Sequence, residues 1–140
     1  MKLFATREEE AHQGWVWLQD PALPPRAIVC ITNPTNGLSI YCEALQIDAS
    51  FLLGYNSPPR LSITEPQDTL VIGAWYRAGL GGLTTQSDVL LEVKACKSWI
   101  GQFYACIHHP QVIVRLAAWL GGIGLLLGLV GLGLGIASLW

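Results

Sequence analysis

Charge is scarce in this sequence, and over its last stretch it is missing altogether. Only 13% of the 140 residues are Asp, Glu, Lys or Arg, half are hydrophobic, and no charged side chain follows Arg115. So little charge excludes a disordered polar chain and an ordinary soluble surface over the whole length. A net charge of −2 with no basic stripe excludes nucleic acid as a partner. The opening residues, Met1 to Glu10, have no apolar run and turn acidic at once, which excludes a secretory signal peptide. Cys30, Cys42, Cys96 and Cys106 include no CxxC pair, and no phosphate-binding glycine loop or Gly-x-Ser-x-Gly elbow is complete. The expectation is therefore no catalytic site, no cofactor and no metal.

What is there is a long apolar run. Leu116–Trp140 carries no charge and exceeds the roughly 20 residues needed to cross about 30 Å of hydrocarbon. This predicts a single C-terminal transmembrane helix over residues 116–140, with Trp119 and Trp140 near its two interfaces. An apolar span so close to the chain's end, with no earlier one, predicts a tail-anchored protein. Residues 1–92 hold five basic and ten acidic side chains, whereas Lys94, Lys97 and Arg115 follow with no acid. Basic residues beside a span stay on the cytoplasmic side and attract anionic lipid, so the N-terminal domain is expected to be cytoplasmic.

Within the run, small residues recur at Ala117, Gly121, Gly124, Gly128, Gly131, Gly135 and Ser138, in steps of four and three. That 3.5-residue period puts all seven on one helix face. Helices in lipid associate by close backbone approach, which small residues permit. The expectation is a homo-oligomer held through this glycine zipper.

Ahead of the span the pattern predicts an α+β chain: a helix/strand segment over 1–20, a small β-rich domain over 21–97, and a juxtamembrane segment over 98–115. Thr6-Arg7-Glu8-Glu9 has a capping-box pattern for a short helix. Trp15–Leu18, Ala27–Ile31, Leu38–Leu45, Leu61–Thr64 and Asp88–Ala95 read as strands, and Asn33–Gly37 as a tight turn. Thr69–Leu80 has helical spacing with a stop at Gly81-Gly82, and Ser98–Ile107 reads as a helix before Pro110 opens the long one.

The stretch from Ala22 to Asn33, continued by Asn36-Gly37-Leu38-Ser39-Ile40, resembles the opening of a double-psi β-barrel. It is similar to rare-lipoprotein-A-like and expansin-like barrels, with their Leu-Pro, Val-x-Val-Thr-Asn-like strand and Asn-Gly turn. Arg60–Thr64, the helical spacing of Thr69–Leu80 and Gly81 extend the match over residues 20–95. In catalytic members an acid follows the second strand in an Asp-Arg-Gly-Pro-like turn. Here Asp48 is the only acid in that region and the Arg-Gly-Pro is missing, so the resemblance implies a barrel used for binding. Trp75, Tyr76 and Arg77 form a candidate partner patch, weighed against two core aromatics and a surface arginine.

Three functions fit these residues. The first is a cytoplasmic β-rich domain, anchored and clustered by its glycine-striped helix, acting as an assembly or partner-binding subunit of a bacterial or phage membrane complex. The second is a holin-like permeabilising protein whose effector is the helix. The third is a cell-wall-active barrel enzyme, which requires the opposite topology.

Overall fold

The computed structural model describes residues 1–58 and 62–139. Among the described residues are six strands: β1 (Lys2–Ala5), β2 (Trp15–Leu18), β3 (Arg26–Asn33), β4 (Leu38–Gln46), β5 (Thr69–Ile72) and β6 (Glu92–Ala95). Four α-helices accompany them: α1 (Ala49–Tyr55), α2 (Ala74–Gly79), α3 (Trp99–Ile107) and α4 (Val112–Ala137). The strands form one sheet in the order β1-β5-β2-β4-β3-β6. β1 runs parallel to β5 and β2 parallel to β4, while β2–β5, β3–β4 and β3–β6 are antiparallel. The class is α+β, a small β-rich unit followed by one long apolar helix.

Period-two alternation explains the core. Leu3, Val16, Leu18, Val29, Ile31, Ile40, Cys42, Ala44, Leu70 and Ile72 come from five strands and converge on one buried cluster, closed by Tyr76 and Leu80 of the α2 segment. Intervening residues Phe4 and Val71 face the other way and pack with Phe51 and Tyr55 of α1. β5 is thus covered on both faces, and all four of its residues are buried.

That double burial corrects the reading of Thr69–Leu80. A strand buried on both sides is a continuous apolar run, here Leu70, Val71 and Ile72, which periodicity alone does not separate from a buried helix segment. The helix begins only at Ala74, after Gly73, and Gly81 and Gly82 stop it with φ of +101° and +78°. The capping box at Thr6 also does not form. Residues 8–10 make one 3-10 turn whose cap, Arg7, offers no side-chain hydrogen bond. Residues 1–20 contribute β1 and β2 to the same sheet rather than standing apart.

β3 and β4 pair from Arg26↔Leu45 to Asn33↔Leu38, with the expected turn between them. Gly37 sits at φ +73°, and the space where a Cβ would project is empty. Any penalty there is backbone strain alone. Gly37→Val should destabilise the unit by about 1–2 kcal/mol, whereas Gly37→Asn, which tolerates this conformation, should cost less. Urea midpoints of the two variants in one detergent would check the ordering. Asn33 and Asn36 also donate side-chain N–H groups to the Leu80 carbonyl at 3.0 and 2.9 Å, tying the turn to the end of α2.

The strand expected at Leu61–Thr64 lies partly on residues 59–61, outside those described, as does Arg60 of the resemblance. Ser62, Ile63 and Thr64 are not in a strand. Ile63 is instead pinned by the Asn56 side chain, which accepts its N–H at 2.8 Å. The strand expected at Asp88 starts later, at Glu92, with an isolated bridge from Asp88 to Lys2 before it.

Candidate functional site

The features that bear on a membrane gather at α3, α4 and the short turn joining them. The Ser98 hydroxyl caps α3 by accepting the Gly101 N–H. Gly101 and Ala105, one turn apart, are the buried residues of α3 and press on β3 and β4. A Cβ on Gly101 would lie 2.6 Å from that of Cys96, so only glycine allows this approach. The opposite side of α3 carries Trp99, Ile100, Phe103 and Ile107.

α3 folds back on the first turns of α4. The Phe103 ring lies 3.1 Å from the point a Cβ on Gly122 would occupy. Val114, Arg115, Ala118 and Gly122 are the half-buried residues of α4, and the others in it are exposed. The i, i+4 row Val114–Ala118–Gly122 is therefore the seat of α3. This second face was not foreseen in the sequence, although Gly122, a glycine outside the 3.5-residue register, is its signal.

The junction is clasped to the β-rich unit. Tyr41 of β4 stacks on Tyr104 at 5.0 Å and on His108 at 5.6 Å between ring centroids. The Trp75 indole N–H donates to the His108 carbonyl at 2.8 Å. Arg115 lies 4.5 Å from the Trp75 ring centre and donates to the His109 and Pro110 carbonyls at 2.8 and 3.0 Å. These contacts correct the Trp75–Tyr76–Arg77 patch. Successive helical residues point about 100° apart, so Tyr76 enters the core at 2% exposure while Trp75 faces out onto the α3–α4 turn. Arg77 is half-buried and donates to the Leu83 carbonyl. Arg115, expected as an interfacial cation, is folded back toward the domain instead of extending freely.

His109 completes the clasp. Its Nδ1 accepts the Gln111 N–H at 3.1 Å, and its ring fills the space where Gly14 lacks a side chain. Burial, and then the neighbouring Arg115 charge, hold its pKa below the ordinary 6.5. A histidine lowered on folding favours the neutral form, so its contribution is full above about pH 6.5. That contribution is lost as pH falls through the lowered value. Acidification should loosen the α3–α4 turn, read as faster amide exchange at Gln111–Arg115 than pH alone produces. In His109→Asn this extra acceleration should vanish.

The seven small residues from Ala117 to Ser138 are all exposed. Among the described residues, nothing outside the helix's own backbone and the adjacent residues lies within 4 Å of a Cβ added to Gly121, Gly124, Gly128, Gly131 or Gly135. Their row lies roughly a third of a turn around α4 from the α3 seat, so docking of α3 leaves it open. Trp119 is exposed near the start of the apolar run, and Trp140 lies outside the described residues. Lys97 is exposed, while Lys94 pairs with Glu92 at 3.0 Å. α4 starts at Val112, four residues before the expected span, and is long and apolar enough to cross a membrane.

The remaining candidates have local roles. The Asp48 carboxylate accepts the Phe51 N–H at 2.7 Å and caps α1. Cys42 is fully buried and burial pushes its pKa up, which keeps the thiol protonated. Cys106 is exposed, and Cys30 and Cys96 are half-buried. Among the described residues no three of His, Cys, Asp and Glu gather as a metal set. A shallow groove lined by Pro24, Arg26, Glu43, Cys96, Lys97 and Gln102 has its Arg26 and Glu43 charges paired at 2.8 Å.

No protein-family model matches the chain, and no curated protein matches it. Among solved structures the chain is similar to the rationally designed apDPBB_sym_79 protein, a double-psi β-barrel. The identity is 14%, the match covers 69% of this chain and 96% of that one, and the TM-score is 0.47.

Proposed function

We propose that this chain is a single-pass membrane protein whose β-rich domain, held at the cytoplasmic face, serves as an assembly or partner-binding subunit clustered by α4. The observation that carries the reading is α4 itself. It has 26 residues, none of them buried, and a row of small residues that none of the other described elements covers. An apolar helix exposed on every side but the α3 seat has no stable place in water, and a bilayer supplies one. The open glycine row then suits close approach of a second copy. The absence of acid beyond Glu92, with Lys97 exposed, supports the cytoplasmic side for the domain.

Topology is tested with an impermeant thiol reagent on intact cells. The wild-type chain should stay unlabelled although Cys106 is exposed on the domain side. A cysteine added after Trp140 should label. Labelling of Cys106 in the wild type would reverse the orientation and favour the enzyme reading.

A further inference from the structure

We infer that α3 is a second membrane-contacting element, lying in the interfacial layer with Trp99 and Ile100 turned into the lipid. This rests on α4 spanning the bilayer and adds a surface to that reading. Three observations carry it.

The first is depth. Gly122 is in the third turn of α4, about 15 Å from its start at 1.5 Å per residue. The whole helix is about 39 Å long, against about 30 Å of hydrocarbon. Only about 9 Å of α4 can therefore stay above the hydrocarbon boundary if its far end reaches the opposite one. Phe103, seated on Gly122, is carried down to or below that boundary, and α3 goes with it.

The second is exposure in the direction away from the sheet. Gly101 and Ala105 take the sheet side, and Phe103 takes α4. Trp99 and Ile100 remain, 68% and 48% exposed. The residues from Ser98 to Val114 that separate them from the body of α4 hold no Asp, Glu, Lys or Arg. An indole suits the headgroup boundary, where its ring is half wet and half apolar.

The third is charge. Lys97, exposed just before α3, would face lipid headgroups, and no acidic residue lies between Glu92 and the end of the chain. Anionic headgroups are attracted by such a segment. The occupant of the Trp99–Ile100 surface is thus the interfacial lipid of the bilayer that α4 crosses. With α3 docked there and clasped through Tyr41, Trp75 and His109, the domain is held in one orientation to the membrane rather than swinging on a tether.

The test uses the full wild-type chain in vesicles of phosphatidylcholine and phosphatidylglycerol containing a lipid with a diazirine near the glycerol end of its acyl chain. After photolysis, the labelled residues are mapped by mass spectrometry. Leu53, 82% exposed on α1, serves as the background. Labelling at Trp99 or Ile100 severalfold above Leu53, together with labelling of α4, is the expected result. Labelled α4 with Trp99 and Ile100 at background would overturn the inference and leave the membrane anchor standing. An unlabelled α4 would overturn the anchor, and the inference with it.

Discussion

Leucine at Gly124, Gly128 and Gly131 should release the chain from its assembly without releasing it from the membrane. Each substitution adds four carbons on the face left open in α4 and holds a neighbouring helix away. Insertion should persist, because leucine enters lipid more favourably than glycine. Gly133→Leu is the control: its surroundings are equally open, but it lies off the small-residue row. Gly122→Leu is not a control. It would strike Phe103 and lift α3 from α4, so it should change lipid contact at Trp99 while leaving the mass of the assembly intact. The triple variant and the two single ones thus separate two faces of one helix.

The second large effect is expected at the other end of the chain. Leu3 has no exposed surface and stands on β1, which pairs with β5 on one side and is held on the other by the Lys2–Asp88 bridge and backbone hydrogen bonds between Leu3 and Gln86 and Ser87. Leu3→Ala should cost about 2–5 kcal/mol, a large share of the stability of a domain this size. A chain in which residues 1–20 were a separate arm would tolerate it. Thermal unfolding of the variant, followed in detergent by near-ultraviolet dichroism, decides between them. An unchanged transition would show that β1 is not part of the cooperative core.

Different parts of this fold were legible in the sequence for different reasons. The β3–β4 hairpin was readable because Asn36-Gly37 specifies a turn locally and the flanking residues alternate about it. α4 was readable because it is apolar along its whole length and carries no charge after Arg115. β5 was not, since burial on two faces erases alternation and leaves a run that helical spacing also fits. β1 was missed because its four residues carry no turn signal, and its partner lies 67 positions away at Thr69. At Trp75-Tyr76 the sequence showed two adjacent aromatics and could not say which faced in. The clue was elsewhere: Arg115, the last charge before a long apolar run, needed partners, and Trp75 with the His109 and Pro110 carbonyls provides them. The α3 seat was likewise written in one glycine that broke the register, but its partner Phe103 could be identified only once the hairpin was folded.

The central claim is that α4 both anchors and assembles the protein, and mass tests it directly. The full-length chain, solubilised in a mild detergent, is weighed by light scattering with the detergent contribution subtracted. The account predicts a multiple of the 15.2 kDa chain mass for the wild type and for Gly133→Leu, falling to a single chain for the triple leucine variant. A wild-type mass of one chain, or an undiminished multiple in the triple variant, would contradict it.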